Sequence, residues 1–249
     1  MMYKQRFFKY YVSTHIAERK GAISLDEFRR RAPYYKEQLG RLLPQRRDAR
    51  IADVGCGNGS LVWYLQSAGY SAVEGVDVSA EQIAAGRALG LQAIQQADLR
   101  TYLAGNIERF DLVILRDVIE HFTKEEILGV LDQAVAALRP GGRLLIQVPN
   151  AEAPFAGRIR YGDFTHELAF SVSSLQQLLK IVGLEAIRCY PTVPVFRGPT
   201  APLRQLLWRL VEACYKLMIF AEIGRGHYIV TQSLIAVGVR PAQLATTRG

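Results

Sequence analysis

Residues 51–59, Ile-Ala-Asp-Val-Gly-Cys-Gly-Asn-Gly, run a short β-rich stretch into three glycines at alternate positions, and no other segment constrains the fold as strongly. Glycine accepts left-handed backbone that other residues resist, so the run is expected to turn tightly and bring backbone N–H groups to a ligand at a helix start. Downstream, β-rich runs alternate with capped helical segments, the pattern of an α/β parallel sheet wrapped by helices. Strands are expected at 51–54, 72–78, 91–96, 112–115, 143–148, 184–190 and 228–237, seven in all. Ser79-Ala80-Glu81-Gln82 and Thr123-Lys124-Glu125-Glu126 are capping boxes that start helices, the first running to about Leu89 and the second ending before Pro140-Gly141-Gly142. Gly183 is expected to close a further helix over 173–182.

Outside this core the chain reads as two additions. Ser24-Leu25-Asp26-Glu27 caps a helical segment interrupted near Pro33, which makes residues 1–45 an N-terminal helical cap on a 46–249 domain. Within that domain, 149–170 forms a long loop and 192–226 a helical insertion before the last strand. Residues 203–223 keep polar side chains at Gln205, Arg209, Glu212 and Lys216 among apolar ones. Their charges interrupt the ~20 apolar residues that a membrane span needs, so the helix is expected to pack on the core, with a membrane surface as the alternative.

Residues 1–50 hold 13 Lys or Arg against 5 Asp or Glu, an excess equal to the whole chain's net charge of +8. A charge-balanced body argues against a broad nucleic-acid face, whereas a basic, aromatic N-terminus suits an anionic ligand, a lipid surface or simply solvent. Three widely spaced cysteines form neither a disulfide framework nor a zinc knuckle, and the first residues lack the apolar run of a signal peptide. The expected location is cytoplasmic.

The glycine spacing departs from the G-x-G-x-x-G that cradles a dinucleotide pyrophosphate. Asp77, at the end of the second strand and followed by Val78, could accept hydrogen bonds from both ribose hydroxyls of a nucleoside. Asp98, after the third, could accept from an adenine amino group, with Leu99 beside the ring. Taken in order, 51–59, Gly-Val-Asp-Val-Ser (75–79), Ala-Asp-Leu (97–99), Phe-Asp-Leu-Val-Ile-Leu-Arg-Asp-Val-Ile-Glu-His (110–121) and Leu-Arg-Pro-Gly-Gly (138–142) resemble the class I S-adenosylmethionine-dependent methyltransferases. The resemblance implies a Rossmann-like seven-stranded sheet with the last strand antiparallel. It also implies S-adenosyl-L-methionine as cofactor, with Gly55 and Gly57 at its methionine part, Asp77 at the ribose, Asp98 and Leu99 at the adenine, and Arg116 near the sulfonium. Asp53, Cys56, Gly59 and Val78 complete the expected cofactor set, Cys56 as a packing residue.

Acceptor chemistry is expected in two clusters, Asp117 to His121 and Arg160-Tyr161-Gly162-Asp163-Phe164-Thr165-His166-Glu167. In the preferred reading His166 or His121 is a general base steadied by Asp163 or Glu120. In the second, Asp117, Glu120, His121 and His166 bind a divalent metal, a layout similar to the small-RNA terminal 2′-O-methyltransferases apart from Asp117 in a Glu position. A third assigns Glu120 and His121 only to hydrogen bonds at a helix start. The second cluster, with the Phe-Ser-Val-Ser-Ser that follows, resembles bacterial methyltransferases of surface-glycan assembly. That resemblance implies a sugar or glycolipid acceptor, and the basic, aromatic N-terminus and the 203–223 helix would then sit on a lipid-linked glycan at the inner membrane face; from the charge balance, no nucleic acid is expected. A small phenolic metabolite is the rival acceptor, and an idle nucleotide-binding scaffold the rival to any enzyme.

Overall fold

The computed structural model describes residues 7, 23–192, 194, 198–224 and 228–242. Among them lie β1 (Arg50–Val54), β2 (Ala72–Asp77), β3 (Ile94–Gln96), β4 (Phe110–Arg116), β5 (Leu138–Pro149), β6 (Glu185–Pro191) and β7 (Ser233–Val239). They form one sheet in the order β3-β2-β1-β4-β5-β7-β6, with β7 antiparallel to both neighbours and the other pairings parallel. The expected Rossmann-like, seven-stranded fold is therefore present.

Helices cover both faces. α1 (Leu25–Leu39), α2 (Ser60–Ser67) and α3 (Ala80–Ala88) lie on one, and α4 (Leu99–Ala104), α5 (Lys124–Ala137) and α7 (Val172–Ile181) on the other; α6 (Ala156–Arg160) is a short turn between β5 and α7. Strand alternation builds the two cores: Leu112 and Ile114 of β4 pack with Phe28, Tyr35 and Leu65, whereas Val113 and Leu115 pack with Ile127, Leu131 and Leu175. Both faces being covered explains the nearly continuous apolar run of β4.

Several boundaries differ from the sequence reading. α1 is continuous through Pro33 and is not interrupted there. Pro33 is exposed, so the carbonyl that loses its N–H partner faces water, and buried Phe28, Tyr35 and Leu39 hold the turns on either side. β5 starts at Leu138 and passes through Pro140-Gly141-Gly142, with a register shift against β4 between Phe110 and Leu112. β7 starts at Ser233, because Ile229 and Thr231 give their carbonyls to the Asn150 side chain and not to a strand partner. α4 was missed, though Asp98 caps it by accepting from the Arg100 and Thr101 amides at 3.0 and 3.1 Å.

The insertion helix α8 (Ala201–Ile223) forms as expected but does not pack on the core. None of its residues is buried, and Leu203, Leu206, Leu210, Leu217 and Phe220 are all more than half exposed. No helix among the described residues is long and apolar enough to cross a membrane. Of the N-terminal cap, 1–6 and 8–22 lie outside the described residues; α1 supplies the remainder and packs on α2 through Phe28 and Trp63.

Restoring an N–H inside α1 tests the Pro33 account. Pro33→Ala should stabilise the protein by about 1–2 kcal/mol, the interior-proline penalty less the entropy proline removes from the unfolded chain. An unchanged or lower urea midpoint would show that the helix has adapted to the proline.

Candidate active site

β1 pairs in parallel with β2 on one side and β4 on the other, and the strand order reverses at β1. A crevice opens where connections on either side of this switch point diverge. A cavity of about 450 Å³ occupies it, lined by Asp53, Gly55, Cys56, Gly57, Asp77, Val78, Asp98, Leu99, Arg116, Asp117 and His121. The separate motifs thus form one site. Gly59 does not line it; it starts α2 in left-handed backbone.

Gly55 and Gly57 have φ of +81° and +55°, which L side chains rarely adopt. A Cβ on Gly55 would come within 2.3 Å of Val118 Cγ2, so that position admits only glycine. The Gly57 amide donates to Asp77 Oδ2 and the Ser79 amide to Oδ1, both at 2.8 Å, which locks the turn to the tip of β2. Burial raises the Asp77 carboxyl above its ordinary range, against the pull of these two bonds. Cys56 is buried, and its thiol is pushed well up by burial, as suits a packing residue. Asp98 combines its place in the lining with capping α4. Val78 is exposed, leaving an apolar surface at the cavity.

Asp53 is buried at the floor, and its carboxyl is pushed up to about 7 by burial and Asp77, with Arg116 opposing. Tyr35 is a lining residue that the motifs gave no reason to choose. Its hydroxyl lies 2.7 Å from Ser60 Oγ and its ring 4.9 Å under the Arg116 guanidinium. Burial opposes both charges, yet Arg116 is held protonated by Tyr35, Asp117 and Asp53, and the Tyr35 phenol is lowered by Arg116 and Ser60.

On the acceptor side, Asp117 has a φ of +55°, and its carboxylate receives the Gln147 side-chain amide at 3.1 and 3.2 Å. Strain of this kind in a non-glycine residue is concentrated at functional sites. A 3₁₀ turn, Ile119–His121, follows. The Glu167 and Leu168 amides donate to the Glu120 carbonyl at 2.8 and 3.0 Å, stitching the 149–170 loop to this turn. His121 and His166 meet edge-on, ring centroids 4.8 Å apart. His121 lines the cavity; His166, the favoured base from sequence, is not in its lining.

Asp163 reaches His121 through a residue missed in the sequence. Thr165 Oγ1 donates to Asp163 Oδ1 at 2.6 Å and lies 2.9 Å from His121 Nδ1. Burial and His166 push His121 down to about 4, so it is neutral at neutral pH. Glu120 is fully buried and its carboxyl raised well above the ordinary range by burial, Asp117 and Asp163. Phe164 stacks on Phe7 at 5.3 Å, placing one N-terminal residue against this loop.

The fold is Rossmann-like, with an open crevice at its switch point. A family model described as "Methyltransferase domain" matches residues 26–188, and the chain belongs to that family. It is 34% identical over 104 residues to a ubiquinone biosynthesis O-methyltransferase of Bradyrhizobium sp. (strain ORS 278), spanning 41% of this chain and 40% of that protein. Identity to a tRNA U34 carboxymethyltransferase of Ectopseudomonas mendocina is 30% over 150 residues, 56% and 46% of the two chains. The match thus spans less than half the length of these curated relatives. Similar solved folds include a SAM-dependent methyltransferase from Archaeoglobus fulgidus, with TM-score 0.62, 17% identity, and 92% of this chain and all of that one covered. Another is a Haemonchus contortus phosphoethanolamine N-methyltransferase 2 bound to S-adenosyl-L-methionine, with TM-score 0.58, 18% identity, and coverage of 94% and 56%.

The raised Asp53 has a consequence for stability. Its folded pKa of about 7 exceeds the ordinary 3.8, so the folded state holds the proton more tightly and loses stability as pH rises from about 4 to about 7. Asp53→Asn removes that loss. Its stability relative to the parent should be about 2 kcal/mol more favourable at pH 8 than at pH 5 in urea titrations. An equal difference at the two pH values would mean that Asp53 is ionised in both.

Proposed function

We propose that the chain is an S-adenosylmethionine-dependent methyltransferase that O-methylates a hydroxyl of a sugar or related polyhydroxylated acceptor. The observation that carries this reading is that the glycine turn, Asp77 and His121 line a single cavity, which we read as a nucleoside site joined to an acceptor edge. In the reaction an oxygen lone pair attacks the sulfonium methyl carbon in line, the carbon–sulfur electrons return to sulfur, and S-adenosylhomocysteine leaves as a neutral thioether. Holding the partners in line supplies much of the acceleration. The hydroxyl proton must also leave, a step for which positioned groups contribute roughly 10²–10⁴-fold. We assign that step to the edge of the cavity that bears His121, whose ring Thr165 and Asp163 orient.

The sugar assignment draws on the resemblance of Arg160 to Glu167 to glycan methyltransferases. A phenolic small-molecule acceptor is the second reading, favoured by the names of the ubiquinone biosynthesis relatives. S-adenosylmethionine, and not NAD, should bind in calorimetry, and Asp77→Ala should weaken binding by a few kcal/mol as charge-assisted hydrogen bonds are lost. With labelled donor, methyl incorporation into glycan hydroxyls supports the first reading and incorporation only into phenols the second. Donor binding with no S-adenosylhomocysteine formed from either class would identify an idle scaffold.

A lipid-linked glycan is the acceptor form that suits the charge excess of residues 1–50 and the exposed apolar side chains of α8. Deleting residues 1–20, which lie outside the described residues apart from Phe7, should reduce co-sedimentation with anionic liposomes at low salt while leaving donor affinity intact. Equal sedimentation of the full-length and shortened proteins would remove the membrane from this reading.

A further inference from the structure

The hydrogen bonds around the two histidines fix which ring nitrogen carries the proton. His166 Nδ1 lies 3.0 Å from the Ile159 carbonyl, which can only accept, so Nδ1 is the donor. His121 Nδ1 faces Thr165 Oγ1, whose own proton goes to Asp163, so here too Nδ1 donates. With Nδ1 the donor in each ring, Nε2 is the nitrogen that can present a lone pair.

Glu120 lies in the same cluster, fully buried, with neither carboxyl oxygen hydrogen-bonded among the described residues. An unpartnered carboxyl group in the interior is costly in either protonation state, because the ion lacks solvation and the acid has an O–H to place. Asp117 and Asp163 add negative charge nearby. One ligand atom each from Glu120, His121 and His166 lies within 4.8 Å of the others.

We propose that Glu120, His121 and His166 hold a divalent cation of the imidazole-accepting class, such as Mn²⁺, Co²⁺ or Zn²⁺. Two imidazole nitrogens and one carboxylate suit these ions better than Mg²⁺ or Ca²⁺, which prefer all-oxygen shells. The outer contacts fit as well. The Thr165–Asp163 pair and the Ile159 carbonyl hold the two Nδ1–H groups, as partners of metal-bound histidines do. Such an ion supplies the charge that Glu120 lacks. Because His121 lines the donor cavity, the ion stands at the acceptor edge. Resting on the O-methyltransferase reading above, its role is to bind the acceptor hydroxyl and lower its pKa, so that the proton passes to water before the oxygen attacks the methyl carbon.

The test uses the full chain, stripped with a chelator, dialysed and titrated with Mn²⁺ while free Mn²⁺ is followed by electron paramagnetic resonance. One Mn²⁺ per chain is expected, displaced by Zn²⁺, with affinity lowered at least 10-fold in Glu120→Gln and in His166→Ala. S-adenosylmethionine binding, measured on the same samples, should be retained and reports folding. Should either variant lose it, Thr165→Val, which removes only an outer contact, should still weaken Mn²⁺ by about 10-fold. No stoichiometric binding of Mn²⁺ or Zn²⁺ by the parent protein, or binding unchanged in all three variants, overturns the site. Full turnover in the stripped enzyme overturns the ion's part in the reaction. Mn²⁺ binding without methyl transfer to any acceptor keeps the site and removes only the reading on which its role rests.

Discussion

The parallel register of β2, β1 and β4 is the constraint on which the site depends. Asp53 pairs with Gly75 on one side and Ile114 on the other, so the three strands end together and their next residues turn into a shared space. Side chains from positions 53, 77 and 116 meet there because hydrogen-bonded strands cannot slide independently. The glycine turn is in turn held by a bond to one of them, Gly57 to Asp77. The sheet that forms the core thus also sets the spacing of the ligand site.

How much was legible in the sequence follows from the range of each interaction. The Gly55–Gly59 turn and the Ser79 and Thr123 caps act within a few residues of themselves, and the chain shows them directly; Asp77, whose partner Gly57 lies 20 positions away, was legible by its place at the end of a strand. Pro33 was misread because proline's local penalty is real, while the packing of Phe28, Tyr35 and Leu39 that overrides it comes from residues far along the chain. The start of β7 was misplaced for a similar reason. Tyr228 to Gln232 has strand composition, but Asn150 takes its carbonyls from some 80 positions away.

The candidate acceptor residues were legible as types and not as an arrangement. Both histidines and both carboxylates could be named, yet which histidine lines the cavity depends on the path of the 149–170 loop. Thr165 carried no signal, since a threonine becomes a relay only when a carboxylate and an imidazole flank it in space. Tyr35 was equally hidden, its contact with Arg116 joining an N-terminal helix to β4. For α8 the apolar pattern was read correctly and its setting was not: a wide apolar face says that a helix avoids water, but not what it lies against.

The acceptor loop is attached by the Glu167 and Leu168 amides to the Glu120 carbonyl, a main-chain link that any side chain except proline at 167 or 168 preserves. Position and chemistry are thereby uncoupled in this part of the molecule. An exposed residue such as Tyr161 can be exchanged without breaking these main-chain bonds to the turn that bears His121. A lineage built on this frame could therefore diversify its acceptors by point substitution at the loop's surface, leaving the nucleoside crevice untouched.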